Sequence, residues 1–320
     1  MGTHYGHRPT GNNPTGYTSR SVISTPSVPQ AQGSTSGYIS GGSTLPGAAY
    51  QNVIQKFPLS SDANATDVGD LTVARGFSAG QSSNANGYTS GGWSPPFRNT
   101  IDKFPFSSDA NATDVGDITS YRYYGAGESS DASGYHSGGY GPSATNIIDK
   151  FSFSSDGNAT DVGDLTGNRS GVRAGQSSTE NGYASGGGHP SPPINIIDKF
   201  PFSSDANATD VGDLTQGRSE DAGQSGTTHG YTSGGFTDTQ VNTIDKFSFS
   251  SDGNATDVGD LTLVRTGLSG QSSTASGYSS GGYSSSPSDI IDKFPFSSDA
   301  NATDVGDLIS ASYLNTGQQV

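Results

Sequence analysis

The sequence predicts an all-β fold built from tandem four-stranded units, and three observations lead to this prediction. The phrase IDKFPFSSDANATDVGDL recurs six times with small changes, and its Lys residues are spaced by 47, 47, 49, 47 and 47 positions. The phrases GYTSGG and AGQSS recur in step with it. No window carries a 3.6-residue apolar period long enough for a helix. Six units of this length therefore fill residues 31–308.

Each unit is predicted to contain four short strands, separated by turns rich in Gly, Ser, Asn and Pro. In chain order the strands are AGQSS, GYTSGG, NIIDKFPF and ATDVGDLT. In NIIDKFPF we place Ile101, Phe104 and Phe106 on an apolar stripe, with Asp102 and Lys103 outside it. Four strands in a unit of this size, repeated in tandem, are typical of a β-propeller. A stacked β-solenoid is the alternative.

The order of features within a unit resembles the kelch family. Tyr88 precedes the Gly91-Gly92 pair, and an apolar strand, an Asp-Asn turn and Arg122 follow. The slot of Arg122 is filled in the other units by Arg75, Arg169, Arg218, Arg265 and Ser312. The resemblance covers residues 31–308 and implies a six-bladed, kelch-like β-propeller, while it implies little about function.

The phrase FPFSSDANATDVGDLT is also similar to repeats in virion proteins of marine, cyanophage-like phages, notably tail-associated ones. This resemblance implies a structural or adhesive protein of a virion, with a virion or extracellular location. Its expected partners are other virion proteins or a glycan or receptor on the host surface.

Both ends of the chain carry partial units. Gly317-Gln318 aligns with Gly80-Gln81 of the first-strand phrase, and TGNNPTGYTSR aligns with AGQSSNANGYTSGG. We expect an N-terminal closing segment at residues 1–30, six blades at 31–308 and a C-terminal closing strand at 309–320, which pair across the seam of the ring. A reduced seventh blade made from both termini is the alternative.

Charge and composition exclude several functions. The chain has 15 basic and 30 acidic residues, a net charge of −15, which disfavours binding to nucleic acid or to an anionic membrane. No apolar stretch is long enough to span a bilayer, and the first residues lack the apolar core of a secretory signal. Cys is absent, which removes disulfides, thiolate catalysis and Cys-ligated zinc.

The acidic turn SSDANATDVGD supports three hypotheses. In the structural one, Asp accepts N–H bonds from the turn that it starts and Asn tolerates left-handed backbone, as in the Asp-box turn of sialidase-like propellers, which this spacing resembles. In the second, the turn binds Ca²⁺ through oxygen ligands, although Thr lacks charge and no Glu closes the loop. N-glycosylation of the Asn-Ala-Thr triplet ranks last. The calcium ligands would be Asp62, Asn64, Thr66 and Asp70, with Asp109, Asn111, Thr113 and Asp117 in the next unit.

We expect no enzymatic activity and no cofactor beyond this possible Ca²⁺. The five His residues occupy unrelated contexts and no G-x-S-x-G motif occurs, while catalysis needs a singular site that repeated residues do not supply. The alternative is a glycan-binding lectin, or a glycan hydrolase using carboxylates such as Glu128 and Glu220, and Glu180 is the only other Glu. All six Lys residues fill one slot, which favours an ion pair with a neighbouring Asp.

Nearly all of the sequence variation lies on one face of the predicted propeller. Because strand directions alternate, the acidic turn shares one face with the first-to-second loops, and nearly all the variable loops lie on the other. Variable loops on a fixed scaffold are typical of a recognition surface, and exposed aromatic residues with Arg suit glycan stacking or a protein interface. Packing between blades is the alternative, above all for Trp93. The predicted binding residues are Trp93, Phe97, Arg98, Tyr121, Arg122, Tyr123 and Tyr124.

Overall fold

The computed structural model describes residues 1–2, 32–44, 49–188 and 192–320. These residues form 24 β-strands and no helix. The strands make six antiparallel sheets of four strands each, arranged as the blades of a β-propeller, which confirms the predicted fold class. Within the described part of the chain, no helix is long and apolar enough to cross a membrane.

Each blade runs from an inner strand at the axis to an outer strand at the rim. Blade 1 contains β24 (Thr316–Gln319), β1 (Ser36–Ser40), β2 (Val53–Pro58) and β3 (Thr66–Asp70). Blade 2 contains β4 (Ala79–Ser82), β5 (Asn86–Ser90), β6 (Thr100–Pro105) and β7 (Thr113–Asp117). Blade 3 contains β8 (Ala126–Ser129), β9 (Ser133–Ser137), β10 (Ile147–Ser152) and β11 (Thr160–Asp164).

The remaining blades repeat this order. Blade 4 contains β12 (Ala174–Ser177), β13 (Asn181–Ser185), β14 (Ile196–Pro201) and β15 (Thr209–Asp213). Blade 5 contains β16 (Ala222–Ser225), β17 (His229–Ser233), β18 (Thr243–Ser248) and β19 (Thr256–Asp260). Blade 6 contains β20 (Ser269–Ser272), β21 (Ser276–Ser280), β22 (Ile290–Pro295) and β23 (Thr303–Asp307). All four predicted strands are present, in the predicted chain order, in the units that form blades 2 to 6, whereas the first unit supplies only β1, β2 and β3 of blade 1.

Glycine residues at the middle of the six inner strands bring the blades into contact at the axis. A Cβ atom built on Gly175 would lie 2.2 Å from the carbonyl oxygen of Gly127 in the preceding blade. The same separation is between 2.1 and 2.3 Å all the way round the ring, so no side chain fits between neighbouring inner strands. The ring consists of Gly80, Gly127, Gly175, Gly223, Gly270 and Gly317.

The hydrophobic core lies in the six seams between blades, because each sheet buries both of its faces against its neighbours. In one seam Tyr88, Ile101 and Ile118 of blade 2 pack on Phe151 and Ala159 of blade 3. Equivalent clusters fill the other seams. The repeated Tyr, Ile and Phe positions of the sequence are thus contacts between units.

Burial of both faces also corrects the apolar stripe predicted for the third strand, because Ile101 packs in the seam with blade 3 whereas Phe104 and Phe106 pack in the seam with blade 1. Asp102, placed outside the apolar stripe by its sequence pattern, is fully buried, as are its neighbour Ile101 and nearby Phe104. A β-bulge lies between Ile101 and Asp102 in the pairing of β6 with β7. Ile101 and Asp102 point into opposite seams, since successive side chains of a strand lie on opposite faces.

The C-terminal tail closes the ring. β24 pairs antiparallel with β1, with Tyr38 opposite Gln318, and so supplies the inner strand of blade 1. The first unit's own residues before β1 do not form that strand, and the tail does not contribute to a seventh blade. The predicted N-terminal closing segment, residues 1–30, lies outside the described residues apart from residues 1–2.

The glycine ring gives a first testable prediction. Gly175→Ala should lower the free energy of unfolding by about 1–3 kcal/mol or more, because the added methyl group overpacks a backbone contact. Gly167→Ala is the matched control, since a Cβ at Gly167 meets nothing within 4 Å. Denaturant unfolding of the two variants measures the difference, and equal stability would show that the axis tolerates side chains.

A second prediction concerns the closing strand. Deleting residues 309–320 should expose the edge of β1, lower the melting temperature and promote aggregation. A deletion of residues 1–30 is the comparison, because it leaves the ladder between β24 and β1 intact. If the chain without residues 309–320 melts like the full chain and stays monomeric, the tail is not the seam.

Candidate functional site

The loops predicted to vary meet on one face of the propeller, which we call the variable face. It is formed by the loops between the second and third strands of a blade and by the loops that lead into the next inner strand. Short bridges connect the two kinds of loop, as between Gly76 and Trp93 and between Tyr123 and Tyr140. The sequence prediction that these loops share a face is therefore correct.

Four of the predicted binding residues form a continuous aromatic cluster on this face, which we call the aromatic surface: Trp93, Phe97, Tyr121 and Tyr123. The ring centroids of Trp93 and Phe97 are 4.3 Å apart. Phe97 lies between Tyr121 and Tyr123, nearly parallel to both, with centroid distances of 5.5 and 5.4 Å. Tyr121 is 45% exposed and forms the end of this stack, so one face of its ring is available to a ligand.

The other three predicted binding residues have different surroundings. Arg98 is half-buried and directly follows Phe97 in sequence. Arg122 is fully buried and its Nη2 lies 2.9 Å from Asp149 Oδ2, so it cannot contact a partner. Tyr124 is also buried, and its hydroxyl donates to Glu220 Oε1 at 2.9 Å. Arg122 and Tyr124 therefore do not belong to an exposed binding surface.

Arg122 belongs to a set of buried ion pairs that connect consecutive blades. The Arg lies in the connection from the preceding blade, before the inner strands of blades 2 to 6. It reaches a buried Asp on the third strand of the blade that follows, as Arg75 does with Asp102 at 3.1 Å. Burial lowers the pKa of Arg122, and the neighbouring Asp149 opposes this shift. The pairs are Arg75–Asp102, Arg122–Asp149, Arg169–Asp198, Arg218–Asp245 and Arg265–Asp292.

The repeated acidic turns are contacts between blades. Each turn Asp forms an ion pair with the Lys of the preceding blade, and the ring closes with Lys293 on Asp62 at 3.0 Å. This confirms the expected role of the six Lys residues. The pairs are Lys56–Asp109, Lys103–Asp156, Lys150–Asp205, Lys199–Asp252, Lys246–Asp299 and Lys293–Asp62.

The structural hypothesis for the turn named the wrong side chain as the acceptor of backbone N–H groups. The N–H of Asp70 donates to Asn111 Oδ1 at 3.1 Å, and the N–H of Ala112 donates to the Asp70 carbonyl at 2.8 Å. The turn Asn therefore binds the outer strand of the preceding blade, while the turn Asp pairs with Lys. A Cβ on Gly69 would lie 2.4 Å from the Ala110 carbonyl, which accounts for the repeated Gly in TDVGD.

The structure does not bring the proposed calcium ligands together. Asp62 and Asn64 lie in the turn, whereas Thr66 and Asp70 begin and end strand β3, which extends about 13 Å over that distance. Asn64 Oδ1 already accepts the N–H of Asp307. In the second unit Asp109, Asn111, Thr113 and Asp117 are arranged in the same way. Among the described residues, no group of three or more His, Asp or Glu side chains is placed to hold a metal ion.

A ring of left-handed residues, which the sequence analysis did not predict, surrounds the axis on the variable face. Just before the inner strands, Phe77, Tyr124, Glu220 and Leu314 have φ between 55° and 64°, a conformation that strains residues other than Gly. The ring is completed by Gly171 and Gly267, with φ of 68° and 66°. We call this ring the axial mouth. The residue types at these positions differ from unit to unit, and this variation is the signal that could have drawn attention to them.

The three Glu residues lie in three separate environments. Glu128 is buried and accepts the hydroxyl proton of Ser137 at 2.7 Å. Glu220 lies at the axial mouth, where it accepts from Tyr124 and from Thr266. Glu180 lies in the loop between β12 and β13. The geometry thus places Glu128 inside a seam and commits both oxygens of Glu220 to protein donors.

Glu128 occupies a slot in which every other blade has Gln. In those blades the Gln side chain donates to a Tyr carbonyl of the next blade, as Gln81 does to Tyr135 at 2.8 Å. By the repeat, Glu128 faces the carbonyl of Tyr183, and its Oε2 has no partner among the described residues. Burial raises the pKa of Glu128 to about 8, so the neutral acid fills the slot of an amide at neutral pH.

Comparison of the sequence with protein-family models and with curated proteins finds no match.

The slot of Glu128 gives a third prediction. Because its folded pKa is raised, its contribution to stability is complete below its unfolded pKa near 4.5 and is lost as the pH rises through about 8. Glu128→Gln should therefore stabilise the protein at pH 8, by about 1–3 kcal/mol, and much less at pH 4.5. Unfolding measured across this pH range tests it.

The repeat offers a matched control for this variant. Gln176 fills the same slot in blade 4 and donates to the Tyr231 carbonyl at 2.9 Å. Gln176→Glu should introduce a second buried carboxyl group, so it should destabilise the protein increasingly as the pH rises. Glu128→Gln should remove the corresponding pH dependence of the wild type. If the free energies of unfolding of the wild type and Glu128→Gln change in parallel between pH 4.5 and 9, the prediction that Glu128 is neutral in the folded protein is contradicted.

Proposed function

We propose that this protein is a non-enzymatic recognition protein, a structural or adhesive component of a phage virion that binds a protein or glycan partner through the aromatic surface. The observation that carries the proposal is the concentration of four contacting aromatic rings, Trp93, Phe97, Tyr121 and Tyr123, in one sector of an otherwise repetitive ring.

The other blades provide an internal comparison. Trp93 is matched by Tyr140, Phe236 and Tyr283 in blades 3, 5 and 6, but the residues that bridge to them are Ala144, Gln240 and Pro287 respectively. In the other five units, the residue equivalent to Tyr121 has no aromatic ring. These residues are Ala74, Asn168, Gly217, Val264 and Ala311. A cluster that one sector alone possesses is not needed to build a blade, which supports a role in recognition.

The chemistry of the aromatic surface suits a partner with flat apolar groups. Tyr and Trp are enriched among the residues that contribute most to binding energy, and Arg98 adds a cation at its edge. A pyranose ring stacked on Tyr121 and an aromatic or aliphatic side chain of a protein would use the same ring face. The assignment to a virion rests on the similarity of the repeat phrase to phage virion repeats.

A second surface supports glycan binding as an alternative. Open grooves lie between neighbouring blades on the face of the acidic turns. One, of about 510 Å³, is lined by Asp131, Glu180, Asn181 and Phe202, among others. Another, of about 370 Å³, is lined by Asn84, Asn86, Asp131 and Phe153, among others. Carboxylates and amides beside an aromatic ring are suited to sugar hydroxyls and ring faces, and repeated grooves would give a lectin several sites.

The proposed function gives a fourth prediction. Replacing Phe97, Arg98, Tyr121 and Tyr123 together by Ala should abolish binding to host cells, to a glycan array or to neighbouring virion proteins. The melting temperature should change by only a few degrees, because these residues are half-buried or exposed. Tyr124 is kept, since it is buried.

Phe236→Ala is the matched control, because Phe236 occupies the slot of Trp93 in another sector and is 37% exposed. It should leave binding intact. Loss of folding in the quadruple variant, with binding retained by the fraction that folds, would contradict the proposal. Glycan binding that survives the quadruple variant but is lost in Glu180→Ala would assign recognition to the grooves instead.

A further inference from the structure

Near the axis, side-chain hydrogen bonds of two kinds connect neighbouring blades. In the first, the inner-strand Gln of one blade donates to a Tyr carbonyl of the next, as Gln176 does to Tyr231 at 2.9 Å. This bond occurs at five of the six seams. In the second, the Ser that ends the second strand contacts a polar side chain of the next blade, as Ser185 does Thr232 at 2.9 Å. This contact occurs at four seams. Hydrogen bonds are directional, so the two kinds together fix the angle between blades.

The seam between blades 3 and 4 shows neither bond. Glu128 replaces the Gln, and Ala184 replaces the polar residue that would face Ser137. The Ser137 hydroxyl donates instead to Glu128 Oε1 of its own blade, at 2.7 Å. The seam between blades 6 and 1 lacks the Ser contact but keeps the Gln bond, at 3.2 Å. Among the described residues, both kinds of bond are therefore missing only between blades 3 and 4.

A backbone connection is missing at the same seam. Around the axial mouth, the N–H of a left-handed residue donates to the carbonyl of the left-handed residue one blade earlier, as Glu220 does to Gly171 at 2.9 Å. Five such bonds occur in the described part of the chain, and none of them is donated by the N–H of Gly171. The ring of backbone bonds is therefore interrupted at the step from blade 3 to blade 4.

The outer half of this seam has the contacts found at the other seams. Lys150 pairs with Asp205 at 2.9 Å, and the N–H of Asp164 donates to Asn207 Oδ1 at 3.1 Å. Nearer the axis the two blades meet through apolar side chains, which include the buried Val172. Apolar contacts are non-directional, so they hold the blades together without fixing the angle between them.

The connection into blade 4 supplies a different kind of link. In the other blades one residue separates the left-handed residue from the inner strand, whereas Val172 and Arg173 both lie between Gly171 and β12. Nη2 of Arg173 donates to the backbone carbonyls of Asn315 and Leu268 at 2.5 and 3.4 Å. These two residues directly precede the inner strands of blades 1 and 6, so Arg173 ties blade 4 to two blades that do not adjoin it.

A second side-chain link begins on the other side of the same seam. The hydroxyl of Tyr124, which leads into blade 3, donates to Glu220 Oε1 at 2.9 Å, and the Thr266 hydroxyl donates to Glu220 Oε2 at 3.2 Å. Glu220 and the buried Asp221 oppose the lowering of the Arg173 pKa by burial. The guanidinium therefore keeps its charge, and hydrogen bonds that involve a charged group are stronger than neutral ones. We call Arg173, Tyr124 and Glu220 the axial latch.

We propose that the seam between blades 3 and 4 is a joint at which the propeller opens near its axis, and that the axial latch holds this joint closed. This seam lacks all three of the inner connections, and local opening requires less free energy where fewer contacts must break. Both links of the latch begin at residues that flank the seam, Tyr124 before blade 3 and Arg173 before blade 4. The latch thus spans the axis from the place where the ring of backbone bonds is interrupted.

Amide hydrogen exchange of the full-length protein, measured by NMR, tests the joint. At each of four seams the N–H of an inner-strand Ser donates to a Ser hydroxyl of the next blade, so its exchange reports the opening of that seam. The Ser129 amide, which donates to Ser177 Oγ at 3.0 Å, reports the seam between blades 3 and 4. The matched reporters of other seams are the amides of Ser82, Ser177 and Ser225. Relative to intrinsic rates, the Ser129 amide should exchange about tenfold faster than these three, because the missing bonds no longer oppose opening.

Two variants test the latch, and each removes one of its links. Arg173→Gln removes the bonds across the axis, and Tyr124→Phe removes the bond to Glu220 while keeping the aromatic ring, so it is the milder change if Arg173→Gln does not fold. Either variant should speed exchange of the Ser129 amide a further two- to tenfold, roughly the effect of one hydrogen bond. The Ser225 amide, at the seam between blades 5 and 6, should keep its rate.

The repeat also allows the missing bonds to be restored or transplanted. Glu128→Gln together with Ala184→Ser gives this seam the side chains that Gln224 and Ser279 provide between blades 5 and 6. The double variant should slow the Ser129 amide to the rate of the matched reporters, and Tyr124→Phe should have little effect in this background. Gln224→Glu with Ser279→Ala should create a second joint, seen as faster exchange of the inner Ser amide of that seam.

Three results would overturn the proposal. A Ser129 amide that exchanges no faster than its matched reporters would show that the seam between blades 3 and 4 is not a joint. Latch variants that speed all four Ser amides equally would show that Arg173 and Tyr124 stabilise the whole ring. A Ser129 amide unaffected by Glu128→Gln with Ala184→Ser would show that the missing bonds do not set the opening.

Discussion

The contact between glycine residues at the axis is the constraint on which the rest of the structure depends. Because a Cβ on Gly80 would lie 2.2 Å from the Gly317 carbonyl, the six inner strands approach until their backbones touch. This approach leaves room at the axis for small cavities only, and it brings the sheets face to face. Each sheet is then buried on both sides, and the hydrophobic core is divided among six seams.

The repeated residues are accounted for by contacts between units. The turn Asn caps the outer strand of the preceding blade, the turn Asp pairs with its Lys, and the inner Gln donates to a Tyr carbonyl across the seam, as Gln224 does to Tyr278 at 3.1 Å. A unit that must match its neighbours on both sides has little freedom to vary. Variation between units is therefore left to the residues that these contacts do not use, which lie in the loops of the variable face.

The sequence was sufficient for the fold but not for the placement of every polar side chain. Strand order, blade number and the Lys–Asp pairs follow from the period of the repeat and from the expected pairing of opposite charges. Ile101 and Phe104 were wrongly placed on one apolar stripe because a single stripe assumes one buried face, whereas a propeller blade buries both. Arg122 and Tyr124 were included in the binding surface because neither the seam nor the axial mouth is visible from local sequence. The aromatic surface was predicted from composition alone, and the structure adds the contacts among its rings.

The seam between blades 6 and 1 shows how the chain manages buried charge. At this seam Ser312 replaces the repeated Arg, Gln55 replaces the buried Asp, and Ile309 replaces the Thr that elsewhere donates to that Asp. The backbone N–H of Ile309 donates to Gln55 Oε1 at 2.8 Å, which preserves one bond of the lost network. Removing one partner of a buried ion pair costs about 3–5 kcal/mol, whereas neutral replacement of both can cost little. The three replacements therefore occur together, at the one seam that is closed by chain ends rather than by a continuous connection between units.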